Sequence, residues 1–137
     1  MQFTFVTVVL SFVAATFATS VSFDPTYDQA SASLGNVACS DGSNGLITKG
    51  FDTFGSLKNF PNIGGAAAVE GWNSAACGTC WKLTYNGQSI NVLAIDVAID
   101  GFNVSEEAMN TLTGGQAEQL GRVDATVEQL DASACGL

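Results

Sequence analysis

Four cysteines in a chain of 137 residues, preceded by an uncharged apolar stretch, constrain the fold more than any other feature. Residues 1–18 carry no charge, are rich in Phe and Val, and end in Thr16-Phe17-Ala18, a pattern typical of a secretory signal peptide cleaved after Ala18. The stretch is too short for a transmembrane anchor, which needs about 20 apolar residues. We therefore predict that residues 19–137 form one domain in an oxidising compartment, where four cysteines normally form two disulfides.

The residues alone leave three pairings of Cys39, Cys77, Cys80 and Cys135 open. The Cys-Gly-Thr-Cys spacing at 77–80 also raises a second interpretation, a thioredoxin-like redox pair, which requires a reducing compartment and a βαβ unit. A strand-like run follows Cys80 directly, so we favour structural disulfides. Closing loops of the size between Cys39 and Cys77, and between Cys80 and Cys135, is worth roughly 4 kcal/mol each in the loop-entropy model, which matters in so small a domain.

The charge of the chain excludes several classes of function. It has 13 acidic and 4 basic residues and a formal net charge of −9, so nucleic acids and anionic membranes would repel it. Because there is no His, it has no Ser-His-Asp triad, Cys-His pair or His-ligated metal site. The acidic residues fit no calcium-loop spacing. We predict no metal and no cofactor, and we interpret the acidic surface as promoting solubility.

The middle of the chain predicts a β-hairpin. Residues 81–85 alternate between apolar and polar side chains, Asn86-Gly87 follows, and residues 88–96 alternate again before becoming almost continuously apolar. Asn-Gly is the strongest short-range hairpin signal because both residues tolerate positive φ. The apolar end of the second run is typical of a strand buried on both faces.

The C-terminal third predicts one more strand and two short helices. Residues 123–128 alternate as a strand, and residues 105–112 are predicted as a helix that Ser105 caps and Gly114-Gly115 ends. Residues 117–120 predict a second helical turn, whereas the glycine- and asparagine-rich segments 41–45 and 61–65 predict turns. Short strands, many turns and little helix favour a mainly β fold, a closed β-barrel.

Motifs spread over the whole of residues 19–137 resemble the cerato-platanin family of small secreted fungal proteins. They are Val21-Ser22-Phe23-Asp24 with Tyr27-Asp28, Cys39-Ser40-Asp41-Gly42-Ser43-Asn44-Gly45-Leu46, Phe60-Pro61-Asn62-Ile63-Gly64-Gly65, Gly71-Trp72-Asn73-Ser74, Cys77-Gly78-Thr79-Cys80-Trp81, Ala94-Ile95-Asp96, Gly101-Phe102-Asn103 and Cys135-Gly136-Leu137. Their order and spacing make the resemblance specific.

The resemblance implies a six-stranded double-ψ β-barrel, like the first domain of expansins, with one or two short helices. It also implies the disulfides Cys39–Cys77 and Cys80–Cys135. It further implies a protein of the fungal cell wall and culture fluid that binds chitin oligomers and loosens cellulosic material without hydrolysis. Hosts recognise members of the family as elicitors, phytotoxins or allergens.

Asp96 is the carboxylate that most needs an explanation, because it follows the apolar run Val92-Leu93-Ala94-Ile95 and an unpaired buried charge is costly. Two interpretations are open. Asp96 either fixes a neighbouring turn or loop through backbone N–H groups, or it binds sugar hydroxyls on the floor of a shallow groove, as the family's strand-end Asp implies. Many relatives have His after that Asp, whereas this chain has Val97, so no imidazole contact is expected here.

Polar residues in turn-like segments supply further candidate sugar contacts, namely Ser40, Asp41, Asn44 and Asn103, although each also suits an ordinary Asx-turn or capping role. Asn103-Val104-Ser105 is an N-glycosylation sequon that overlaps the predicted helix start. A glycan on Asn103 would conflict with a place on a tight binding floor.

Of the two tryptophans, Trp81 opens a strand directly after a cysteine and is predicted to be core. Trp72 lies in a glycine-flanked loop and is a candidate platform for a sugar ring. We nevertheless expect Trp72 to be buried, because a small domain has few large side chains to leave on its surface.

Three classes of function remain. The favoured one is a secreted, non-catalytic protein of the fungal wall that binds chitin or related polysaccharide oligomers as a monomer. The second is an interaction protein that acts through host immune receptors independently of sugar. The third is a weak glycoside hydrolase, which would need two carboxyl groups across the scissile bond, one with a raised pKa. Asp41, Asp96 and Asp100 are the acids available for it, and we predict no enzymatic activity.

Overall fold

The computed structural model of the chain describes residues 4, 6, 7 and 16–137, and it shows six strands closed into a barrel in the order β1-β5-β2-β4-β3-β6. Most of the predicted leader, residues 1–18, lies outside the described residues. The predicted closed barrel with two short helices is confirmed. The strands are β1 Phe17–Phe23, β2 Ile63–Ala66, β3 Cys80–Tyr85, β4 Gln88–Val97, β5 Phe102–Val104 and β6 Arg122–Leu130, and the helices are α1 Glu106–Thr113 and α2 Ala117–Leu120.

The barrel combines parallel and antiparallel pairs. Strand β1 runs parallel to β5 and antiparallel to β6, while β2 runs parallel to β4 and antiparallel to β5. Strand β3 lies antiparallel between β4 and β6. The C-terminal end of β4 therefore lies beside the end of β2, where Ala66 pairs with Val97, and near the start of β5, where Ala66 pairs with Phe102. This end of the barrel carries the candidate site.

The predicted hairpin is confirmed as β3 and β4. Tyr85 pairs with Gln88, and the two residues between them have positive φ, 47° at Asn86 and 79° at Gly87. These angles match the turn type for which Asn-Gly is preferred. Four consecutive residues of β4, Val92 to Ile95, are buried, as their apolar run predicts.

Helix α1 is confirmed, with an additional cap that the sequence did not reveal. The Ser105 side chain accepts from the Ala108 N–H at 3.1 Å, and Gly114 ends the helix with φ 67°. The Asp28 carboxylate accepts from the N–H groups of Glu106 at 2.7 Å and Glu107 at 3.0 Å. A carboxylate at this position satisfies two free N–H groups and interacts favourably with the helix dipole. The second predicted helical turn, 117–120, is α2.

The prediction of a turn at residues 61–65 is wrong in its second half, because Ile63, Gly64 and Gly65 belong to β2. The two glycines are required by close packing of the backbone. A Cβ on Gly64 would collide with the Asn103 carbonyl oxygen, and one on Gly65 would lie 2.6 Å from the Val97 carbonyl oxygen. Glycine in a strand often marks such a close approach of a second backbone.

The disulfides are Cys39–Cys77 and Cys80–Cys135, as the resemblance implies, and the redox interpretation of Cys77 with Cys80 is therefore wrong. One hydrophobic core fills the barrel and continues under the loops, with Val21, Leu83, Val92 and Val127 on the strands. Outside the strands it includes Leu34, Leu46, Phe54 and Val69. In the part of the chain that is described, no helix is long and apolar enough to cross a membrane.

Trp81 packs against this core and is half-buried. Its ring meets Phe102 edge-on at 5.7 Å between centroids, and its Nε1–H donates to the Thr79 hydroxyl at 2.7 Å. The prediction that Trp81 belongs to the core is therefore met only in part, because the ring packs against the buried core but stays partly exposed, with its polar atom satisfied.

Candidate functional site

Asp96 lies near the end of β4 and is half-buried, with its carboxylate bonded on both oxygens. Oδ1 accepts from the N–H groups of Ala38 at 3.0 Å and Val97 at 2.9 Å. Oδ2 accepts from the Tyr27 hydroxyl at 2.9 Å. The carboxylate therefore joins β4 to the loop before Cys39 and to the 3₁₀ turn Pro25–Asp28 that follows β1. The interpretation of Asp96 as a residue that fixes a loop through backbone N–H groups is confirmed.

Tyr27 is the buried partner of this carboxylate. Its side chain is 6% exposed and its ring lies 6.1 Å from that of Phe54. Burial, together with the negative charge of Asp96 and the hydrogen bond to it, raises the pKa of Tyr27 well above its ordinary value. The phenol therefore remains a hydrogen-bond donor to Asp96 at neutral pH. Because Oδ1 already has two donors and Oδ2 has one, a single acceptor position on Oδ2 is left.

A groove of about 490 Å³ begins at Val97, the residue that follows Asp96, and we call it the β5 groove. Asn103 Oδ1 accepts from the Ser22 hydroxyl at 3.1 Å, while Arg122 lies 3.9 Å from the exposed Asp100 carboxylate. An exposed ion pair of this kind contributes little to stability. The groove is lined by Ser22, Val97, Ala98, Ile99, Asp100, Asn103 and Arg122.

Asn103 was predicted to lie in a turn, and this is wrong, because it occupies the centre of β5. Its strand is held between β1 and β2, where Asn103 pairs with Ser22 and Gly65. The residue that completes the glycosylation sequon, Ser105, is fully buried and caps α1. Asn103 itself is half-buried within the β5 groove.

Trp72 is 63% exposed, so the expectation that it is buried is wrong. The ring is nevertheless held in place. Its Nε1–H donates to Asp41 Oδ1 at 2.7 Å, and Asn73 beside it accepts from the Asn44 N–H at 2.9 Å and receives the Asn44 amide on its carbonyl at 3.1 Å. The Cys39–Cys77 disulfide ties together the two loops that carry these residues.

The fit between these two loops depends on a glycine. Gly42 has φ 80°, and a Cβ there would lie 2.6 Å from Asn73 Oδ1 and 3.1 Å from the Trp72 ring. Asn73 also has positive φ, 58°, a conformation that Asn tolerates better than most residues. A second groove of about 570 Å³ opens beside the ring, and we call it the Trp72 groove; it is lined by Ala68, Glu70, Gly71, Trp72, Ser74, Ala75 and Ala76.

The candidate residues thus form two groups. Asp41, Asn44 and Trp72 meet in the paired loops, next to Ser40, whose hydroxyl lies 3.4 Å from Asp41 Oδ1. Asn103 lies in the β5 groove. Asp96 lines neither groove, but it is bonded to Ala38, close in the chain to Cys39, and to Val97 at the start of the β5 groove.

Sequence reasoning missed four residues that the structure places in these contacts. Ser22 and Tyr27 belong to the motifs that carry the family resemblance, but nothing local indicates their contacts or that of Arg122, because their partners are far away along the chain. Asn73 carried a signal that could have been used, since Asn in a turn tolerates positive φ better than most residues. Within the described residues, no three His, Cys, Asp or Glu side chains are grouped so that they could hold a metal ion.

Comparison with known proteins gives a consistent result. The family model described as Cerato-platanin matches residues 19–137. The "Allergen Asp f 15 homolog" of Arthroderma benhamiae is 60% identical over 119 residues, which are 85% of this chain and 58% of that protein. This chain therefore spans little more than half of that relative's length. "Cerato-platanin" of Ceratocystis fimbriata f. sp. platani is 43% identical over 129 residues, 93% of each chain.

Solved structures agree with the observed barrel. The crystal structure of cerato-platanin 3 from M. perniciosa has a TM-score of 0.85 and 48% identity, and the match covers 88% of this chain and all of that one. An expansin crystal structure from Clavibacter michiganensis has a TM-score of 0.55 at 17% identity, covering 85% of this chain and 51% of the expansin. At that identity the likeness concerns the fold alone, and it supports a double-ψ β-barrel.

Proposed function

The chain belongs to the cerato-platanin family, and from this we propose that it is a secreted, non-catalytic protein of the fungal cell wall that binds chitin oligomers. The family is one of secreted fungal proteins and is generally non-catalytic. The two disulfides of this chain, Cys39–Cys77 and Cys80–Cys135, fit an extracellular protein. The relatives carry allergen and antigen names, as in the Arthroderma protein.

The observation that carries this proposal is the mixed chemistry of the β5 groove. The N-acetylglucosamine unit of chitin has hydroxyl and acetamide groups at the edge of its pyranose ring and an apolar C–H face. In the groove, Asn103 and Ser22 supply amide and hydroxyl groups, whereas Val97 and Ile99 are exposed apolar side chains, Val97 at 40% and Ile99 completely. Such a surface matches both parts of a sugar unit without needing a charged ligand.

Asp96 supports the groove from behind in this proposal. Asp96 does not itself line the groove, but its bond to the Val97 N–H sets the backbone at the groove's edge and so positions the residues that contact the sugar. Hydrogen bonds from the groove compete with those between neighbouring glycan chains. Binding of this kind loosens a polysaccharide without breaking a covalent bond.

The test is a titration of the protein with chitohexaose, followed by NMR, using material from a host that does not N-glycosylate. Asn103→Ala removes the amide from the groove and is expected to weaken binding about tenfold. Gln119→Ala, which removes an exposed amide from α2, is the matched control and should bind as the wild type does. If Asn103→Ala and Gln119→Ala bind equally well, the groove is not the binding site.

Enzymatic activity is tested on the same material. Incubation with chitin and cellulose should release no reducing sugar above the buffer control. If the wild type releases reducing sugar and Asp96→Asn does not, the protein is a hydrolase that uses Asp96, and the non-catalytic assignment is wrong.

A second function, recognition by host immune receptors, is favoured by the names of the relatives. Recognition of this kind requires a protein that stays folded outside the cell, and it does not require a sugar-binding groove. Host-cell responses to Asn103→Ala separate the two functions. A response that survives the loss of sugar binding would show that receptors act independently of carbohydrate.

A further inference from the structure

Trp72 is a large aromatic side chain that is both exposed and immobilised. Its only polar atom is satisfied by Asp41 at 2.7 Å, so the ring faces outward with no remaining hydrogen-bonding requirement. The Cys39–Cys77 disulfide and the two bonds between Asn44 and Asn73 hold the loops on either side of it. A ligand that stacks on this ring would therefore cost little additional ordering of the protein.

The groove beside the ring offers polar groups suited to an uncharged ligand. Glu70 and Ser74 line it, and at 570 Å³ it falls within the roughly 300–1,000 Å³ typical of ligand clefts. A carboxylate and a hydroxyl bond sugar hydroxyls well, whereas Glu70 and Asp41 would repel an anionic polymer. The C–H face of a pyranose matches the apolar ring.

Only a short segment of alanines lies between this groove and the β5 groove. The Ala66 carbonyl accepts from the Ala98 N–H at 3.3 Å, and the Ala67 N–H donates to the Gly101 carbonyl at 2.8 Å. The next residue, Ala68, already lines the Trp72 groove, while Ala98 lines the β5 groove. Ala67 and Ala68 are exposed. Because alanine has the smallest side chain after glycine, the ridge between the two grooves is low, and we call it the Ala67–Ala68 ridge.

We propose that the two grooves form one elongated binding face, in which a linear, uncharged polysaccharide crosses the Ala67–Ala68 ridge and stacks a sugar ring on Trp72. This inference rests on the proposed function for the β5 groove, and it adds a second subsite and a requirement for chain length. Short oligomers occupy the β5 groove alone. Longer oligomers reach Trp72 and bind more tightly, because the second contact is made within the same complex.

The test compares chitotriose with chitohexaose by NMR titration of four proteins. Trp72→Ala removes the stacking platform, and Ala68→Gln raises the ridge. Ala134→Gln, an exposed alanine in the 3₁₀ turn Ala132–Cys135, is the matched control for the second change. The wild type is expected to bind the hexamer at least tenfold more tightly than the trimer and to show shifts at residues 70–76 with the hexamer only.

Both site variants should lose that preference while the trimer still binds and shifts the Asn103 amide. Three outcomes would overturn the proposal. If Trp72→Ala binds the hexamer as tightly as the wild type does, Trp72 is not a subsite, although the β5 groove can still be the binding site. Hexamer binding by Ala68→Gln equal to that by Ala134→Gln would mean that the two grooves act separately. A wild type that shifts with neither sugar would refute the proposed function as well.

Discussion

Replacing Tyr27 by Phe removes one hydroxyl and leaves the buried ring in place against Phe54. The hydroxyl donates to the Asp96 carboxylate at 2.9 Å, and a hydrogen bond to a charged group is worth about 1.5–3 kcal/mol. Asp96 is half-buried and keeps its bonds to two backbone N–H groups, so a water molecule is able to compensate in part. We therefore expect a loss near the lower value, about 1.5–2 kcal/mol.

The measurement is denaturant unfolding with both disulfides intact, followed by circular dichroism. Tyr85→Phe is the control, since Tyr85 is half-buried and within the described residues its hydroxyl has no hydrogen-bond partner. A double-mutant cycle with Asp96→Asn isolates the pairwise energy, which should exceed about 0.5 kcal/mol for residues in contact. If Tyr27→Phe is no less stable than Tyr85→Phe, the hydrogen bond does not hold the loop as described.

The raised pKa of Tyr27 also makes the free energy of unfolding depend on pH, and the direction of that dependence follows from the direction of the shift. Because its pKa is raised in the folded state, the stabilisation is complete below the ordinary tyrosine pKa of about 10 and is lost as the pH rises towards the folded value. The stability gap between wild type and Tyr27→Phe should therefore be constant at neutral pH and narrow above about pH 10. A gap that widens with pH would contradict the assignment.

Two further changes test the packing and the cross-links. Gly64→Ala places a methyl group against the Asn103 carbonyl and should destabilise the barrel by about 3 kcal/mol or more in the same unfolding experiment. Gly71 has open space around it, so the control Gly71→Ala should have a free energy of unfolding within about 0.5 kcal/mol of the wild type. Replacing both Cys80 and Cys135 by Ser opens a loop with a sequence separation of 55 and should cost roughly 4 kcal/mol in thermal or denaturant unfolding. A loss below about 1 kcal/mol would show that the unfolded chain keeps enough residual structure to be restricted even without this disulfide.

Elements whose signals are local could be predicted from the sequence. Asn86-Gly87 between two alternating runs defines the β3–β4 hairpin, and Ser105 with Gly114 brackets α1. Strands β2 and β5, of four and three residues, could not be predicted, because neither is long enough to show alternation. They are strands only because neighbouring strands of the barrel supply their hydrogen bonds.

The same limit applies to the site. Asp96 stood out because a carboxylate ends an apolar run, and the structure explains it through Tyr27, 69 positions away. Such a partner leaves no local trace in the sequence. The exposure of Trp72 was predicted wrongly because composition argues for burial, whereas the bond to Asp41 and the tied loops keep the ring outside.

The seam of the barrel joins its first strand to its last, since Val21 of β1 pairs with Val123 of β6. During synthesis β6 leaves the ribosome after the other five strands described here, so the barrel has no means of closing before β6 has been made. Pairing between such distant segments is also slow, because the intervening chain must be ordered first. Closure of the barrel is therefore expected to be a late step of folding, and the Cys80–Cys135 disulfide then ties the segment after β6 to the start of β3.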